Sequence, residues 1–149
     1  MTSKIKDHSL HVFNPATNKS AGNIDLTTQD QIEEILHLSG HDRSWSELSI
    51  LKRVIKLKKF RKNITKNLDI IVDTIIGETG KKPVEALTEI FVCLESIKTL
   101  SSIAPETLID QPRGTGVLTF FKKARVVFEP MGTAAIISPW NYPLILPLC

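Results

Sequence analysis

Residues 129–144 read E-P-M-G-T-A-A-I-I-S-P-W-N-Y-P-L, three prolines set around a short apolar run and a single Trp-Asn pair. Thr133 to Ser138 within it are small and β-branched side chains without interruption, the pattern of a strand covered on both faces in a parallel sheet. Pro139 stops that run. Ligands of open α/β sheets bind outside the carboxyl ends of the strands, so Pro139-Trp140-Asn141-Tyr142 is placed where a cofactor or substrate would sit. Pro143 suits the first turn of a helix that begins with L-I-L-P-L. Local physics alone allows two readings of Asn141: a capping amide in a strand-to-helix turn, or a fixed amide donor at a reaction centre.

Upstream, G-V-L-T-F-F-K-K-A-R-V-V-F-E-P supplies two β-rich runs separated by Lys122-Lys123-Ala124, after a loop marked by Gln111-Pro112-Arg113-Gly114 and Gly116. The G-T-G-V-L-T stretch lacks the third glycine and the preceding strand of a dinucleotide fingerprint, and reads as loop. Before Pro105 the pattern is helical. Leu87, Ile90, Phe91, Leu94 and Ile97 form an inward stripe behind Pro83, and Cys93 among them reads as a small helix side chain rather than a reactive thiol. An earlier helix starts near Ser46, with Leu57, Phe60, Ile64, Leu68, Ile71 and Ile75 recurring at intervals of three and four, and closes at Gly77 and Gly80. Its outer face carries Lys58, Lys59, Lys62 and Lys66 and continues into Asp69 and Asp73. Those acids make it a solvated face rather than a nucleic-acid surface. A first helix, capped by Thr27 or Thr28 and ended by Gly40, brings Ile32, Ile35, Leu36 and Leu38 to one side. At the amino-terminal end, H-V-F-N-P-A-T-N-K-S-A-G-N-I-D reads as a hairpin turning at Asn14-Pro15, with Asn18 and Gly22 in or near the turn.

The chain has 149 residues, 42% hydrophobic and 23% charged, enough for one domain with a core. A net charge of +3 is too mild to demand a nucleic acid or an anionic membrane as partner. Cys93 and Cys149 fit no metal spacing and no secreted disulfide framework, so no metal is expected and a reducing cytoplasmic setting is. M-T-S-K-I-K-D-H lacks the apolar core of a signal peptide, and the apolar C-terminal stretch is too short and proline-broken to span a bilayer.

The 129–144 segment resembles the P-x-G-x-x-x-x-I-x-P-W-N-[FY]-P segment of the aldehyde dehydrogenase superfamily. N-P-A-T near the start, W-S at Trp45, E-T-G-K-K-P-V-E-A from Glu78 and R-V-V-F-E-P agree with it in family order over almost the whole chain. The resemblance implies an α/β chain, an incomplete Rossmann-like NAD(P)-binding domain with N-terminal helices and a β-segment. It divides into residues 1–130 (hairpin, three helices, β-rich assembly segment) and 131–149 (first strand and turn of a truncated cofactor-binding domain). It implies NAD- or NADP-dependent oxidation of aldehydes to acids, in which a cysteine thiolate attacks, hydride passes to the nicotinamide and a glutamate activates water.

By the same resemblance Asn141 donates a hydrogen bond to the oxyanion, a contribution of about 3 kcal/mol to the transition state. Ile137, Ser138, Pro139 and Trp140 line the nicotinamide-ribose side. The family's cysteine and glutamate lie beyond this motif, in sequence the chain does not contain, and Cys149 falls at a helix position rather than at the nucleophile. The expectation is therefore an N-terminal aldehyde dehydrogenase portion that is inactive and binds no dinucleotide alone. The alternative is a non-catalytic assembly module built on Val117 to Phe128, or one half of a split enzyme. The partners implied are an aldehyde and either further copies of the chain or a complementing C-terminal polypeptide, with no nucleic acid and no membrane.

Overall fold

The computed structural model describes residues 4–6 and 8–148, with side chains from His8 onward. Cys149 lies outside the described residues. The amino-terminal end is an antiparallel three-stranded sheet of β1 (Lys4–Lys6), β2 (Ser9–Phe13) and β3 (Ser20–Asp25), with β2 in the middle. Leu10 stands opposite Ile24 and Val12 opposite Gly22, with a register shift between Val12 and Phe13. The expected turn forms at Asn14: its N–H donates to the Lys19 carbonyl at 2.9 Å, and Asn18 takes a left-handed φ of 57°.

Four helices follow. α1 (Gln29–His41) opens on a reciprocal cap in which Thr28 Oγ1 accepts from the Gln31 N–H and Gln31 Oε1 accepts from the Thr28 N–H, at 3.3 and 2.8 Å. It runs through Gly40 to His41, since a glycine ends a helix only where the backbone turns left-handed. None of its residues is buried.

The single long helix expected from near Ser46 to its close at Gly77 and Gly80 is two helices, α2 (Ile50–Lys66) and α3 (Leu68–Thr79), and the first starts from a Ser49 cap. The break is Asn67. Its side-chain amide donates back to the Asn63 carbonyl at 2.8 Å, its N–H is shared between the Asn63 and Ile64 carbonyls, and its φ is −106°. Gly77 stays inside α3. Gly80 alone turns left-handed, with φ 72°, and ends it. α4 (Pro83–Thr107) starts with proline in its first turn and carries Pro105 in its last.

The core lies where α2, α3 and α4 meet. Ile64, Ile75, Ala86, Ile90, Cys93 and Ile97 are buried there, with Leu57, Leu68, Ile71, Leu94, Leu144 and Ile145 packed around them. Phe60, Leu87 and Phe91, expected inward, are exposed. Phe91 follows the buried Ile90 and is turned about 100° away from it around the helix. Arg61 Nε donates to the Leu94 carbonyl at 2.9 Å and ties α2 to α4. Beside it the hydrogen bond from Lys98, with Arg61 adding its charge, holds the Glu95 carboxyl below the usual carboxylate range.

Asn14 fixes the hairpin to this core by donating from Nδ2 to the Ile76 and Gly77 carbonyls at 2.9 and 2.8 Å. Its Oδ1 accepts from the Ala16 and Thr17 N–H groups at 2.9 and 3.0 Å.

Beyond α4 the two expected β-runs divide differently. Val117–Thr119 is a turn of 3₁₀ helix, whereas β5 (Ala124–Val126) pairs antiparallel with β4 (Gln111–Arg113), a stretch expected to be loop. Residues 129–139 carry no regular secondary structure, so the strand expected over Thr133–Ser138 is not formed. A β-ladder requires a neighbouring strand, and no strand pairs with this segment among the described residues. α5 (Ile145–Leu148) closes the described chain.

Candidate functional site

Trp140 to Pro143 form the turn between the irregular segment and α5. Two interactions fasten this turn to the helical core. The side chains of Leu144 and Ile145 pack against the buried cluster, and their N–H groups donate to Glu89 Oε1 at 2.9 and 3.3 Å. The Glu89 side chain has no exposed surface, and its other oxygen accepts from Lys81 Nζ. That ammonium lies 4.0 Å from the centroid of the Tyr142 ring, a cation–π contact onto the turn itself.

Lys81 follows Gly80, so the end of α3 sets where it starts. Thr79 Oγ1 donates to the Ile75 carbonyl at 2.6 Å and accepts from the Lys81 N–H at 3.2 Å.

The residues singled out from the sequence sit together on this segment. Asn141 is exposed on the turn, as are Ile137, Ser138, Pro139 and Trp140 before it, with Ile137 at 99% and Trp140 at 71%. An amide in that position is free to donate to an incoming oxygen. It carries no charge and no proton to lose, which suits it to a site where negative charge develops. Ile137, Pro139 and Trp140 present apolar surface to solvent beside it.

A separate cleft of about 800 Å³ lies between the end of α1 and residues 129–133, lined by Asp42, Arg43, Trp45, Glu129 and Met131 among others. Thr133 Oγ1 donates to Ser39 Oγ at 3.1 Å beside it. Hydrogen bonds from Ser44 hold the Asp42 carboxyl below its ordinary range. The lining of the cleft does not include residues 137–142. Among the described residues no three His, Cys, Asp or Glu side chains come together as metal ligands, and no helix is long and apolar enough to cross a membrane.

Sequence reasoning missed Glu89 and Lys81. A signal was present for the first: Glu89 falls at helical spacing from Ala86 and Cys93, an acid inside an apolar stripe, and such an acid must find partners. Its contact with residues 55 and 56 positions later has no local signature.

The model of the Aldehyde dehydrogenase family matches residues 2–149. An aldehyde dehydrogenase-like protein of Schizosaccharomyces pombe is 30% identical over 91% of this chain and 26% of its own length. A 4,4'-diapolycopene aldehyde oxidase of a Methylomonas species is 38% identical over 68% of this chain and 20% of its own. The crystal structure of methylmalonate-semialdehyde dehydrogenase from Oceanimonas doudoroffii superposes with a TM-score of 0.85 at 28% identity, covering 99% of this chain and 30% of that one. The chain thus spans about a quarter of the length of such relatives and matches their N-terminal part.

Proposed function

The chain belongs to the aldehyde dehydrogenase family, and from that premise we propose that it serves as the N-terminal share of an NAD- or NADP-dependent enzyme oxidising an aldehyde to a carboxylic acid. Asn141 is the oxyanion donor of that enzyme. Ile137, Ser138, Pro139 and Trp140 form the wall against the nicotinamide ribose, and the dinucleotide, when bound, supplies the hydride acceptor. The boundary between an N-terminal unit and the start of a cofactor-binding domain falls after residue 130, and the setting is the cytoplasm. The observation that carries this reading is the exposed Asn141 on a turn held by a fully buried carboxylate, within the P-W-N-Y-P segment.

The chain's own residues do two things here. Asn141 donates to the oxygen on which charge develops, and the apolar wall beside it excludes water and strengthens that bond. The attacking sulfur and the general base come from a complementing C-terminal polypeptide or from residues outside this sequence.

Turnover tests this directly. Purified chain with NAD or NADP and a panel of aldehydes is expected to form no reduced nicotinamide. Mixed with a polypeptide carrying the family's cysteine and glutamate segments it is expected to form it, and Asn141→Ala in that mixture to lower kcat about 100-fold or more. Oxidation by the chain alone would overturn the assignment.

A second reading, assembly without catalysis, is favoured by one observation. Val117, Leu118, Phe120 and Phe121 are between 70% and 89% exposed, an apolar surface suited to further copies or a complementing chain. Association without turnover in the mixture would select it.

A further inference from the structure

Glu89 is an ionisable residue on the apolar face of α4, beside Ala86, Ile90 and Cys93, and its side chain has no surface in contact with solvent. Removing a carboxylate from water is costly unless it is paired and hydrogen-bonded, and here every partner lies in or beside one segment. Oε1 takes the N–H groups of Leu144 and Ile145, and Oε2 takes Lys81, whose ammonium faces Tyr142. The contacts therefore land on residues 142, 144 and 145, immediately after Asn141. An apolar residue at position 89 would fill the same space against Leu144 and Ile145. What a carboxylate adds is direction, because charge-assisted hydrogen bonds fix both the place and the orientation of the backbone they hold.

We propose that Glu89 and Lys81 are positioning residues that hold the Trp140–Pro143 turn in one orientation and thereby aim the Asn141 amide. The importance of aiming rests on the reading of Asn141 as an oxyanion donor. Such a donor acts only when held at hydrogen-bond distance from the place where charge develops. Asn141 is exposed and draws its support from the turn that carries it.

The test uses the whole chain, labelled with ¹⁵N, without aldehyde or dinucleotide. Glu89→Ala is expected to lower the hydrogen-exchange protection of the Leu144 and Ile145 amides about tenfold to a hundredfold. It is also expected to move the Asn141 side-chain resonances toward those of an unstructured asparagine, while α2 and α3 amides keep their protection. Glu89→Gln retains an acceptor oxygen and is expected to recover most of the lost protection. Lys81→Met is expected to leave those two amides protected and to shift the Tyr142 ring and Asn141 side-chain resonances.

A purely stabilising role would instead lower protection in parallel across α2 to α4, and that outcome overturns the proposal. Should Glu89→Ala fail to fold, Lys81→Met decides alone: unchanged Tyr142 and Asn141 resonances overturn it. Because no turnover is measured, a failure here is distinguishable from a failure of the proposed activity.

Discussion

Gly77 and Gly80 lie three residues apart, and the surroundings ask opposite things of them. A Cβ at Gly77 would meet no atom within 4 Å, and the residue is inside α3 with an ordinary helical backbone. At Gly80 the φ is 72°, and a Cβ would lie 2.7 Å from the Ala16 Cβ and 3.2 Å from Asn14 Oδ1. Gly77→Ala is therefore expected to stabilise the chain by about 0.5–1 kcal/mol, by removing backbone freedom from the unfolded state. Gly80→Ala is expected to destabilise it by about 1–2 kcal/mol from the left-handed conformation alone, with the crowding against the hairpin added. Urea unfolding of the two variants beside the parent checks both signs, and equal shifts would contradict the account.

At the scale of elements, α1 depends on its cap more than α2, α3 and α4 do, because it buries none of its residues. Thr28→Ala is expected to cost α1 about 1 kcal/mol. The loss should appear as faster exchange of the α1 amides with those of α2 to α4 unchanged. A global loss of protection would show that α1 is coupled to the core. The α1 cap, the Asn14-Pro15 turn and the Pro83 start of α4 were all legible in the sequence, since each is written in a few neighbouring residues. The break at Asn67 was not legible, because the apolar period of Ile64, Leu68 and Ile71 runs straight through it and the interruption comes from one side chain's bond to Asn63. The strand over Thr133–Ser138 was misread for a different reason: an apolar run states what a strand would bury, and pairing depends on a neighbour. Asn141 was singled out through its motif. The Glu89 support was invisible, since it joins residues far apart in the chain.

On the scale of the whole molecule, the buried core belongs to α2, α3 and α4 with the start of α5, while much of the apolar surface after α4 faces solvent. Phe120 and Phe121 are 80% and 70% exposed and Met131 and Ile137 more so. Patches of this kind bind apolar dyes and other chains. The chain is expected to enhance the fluorescence of an anilinonaphthalene dye, and Phe120→Ser with Phe121→Ser to reduce that signal at unchanged helical circular dichroism. An equal signal from the double variant would place the sticky surface elsewhere.

The long-range tie at Asn14 carries a chemical consequence of its own. Spontaneous deamidation of asparagine proceeds fastest when the next residue's backbone nitrogen closes a ring onto the side chain, and that nitrogen must carry a hydrogen. Pro15 has none. The amide whose loss would turn a donor toward two carbonyls into a repelling oxygen is thus sheltered from this route of ageing by the residue that also shapes its turn.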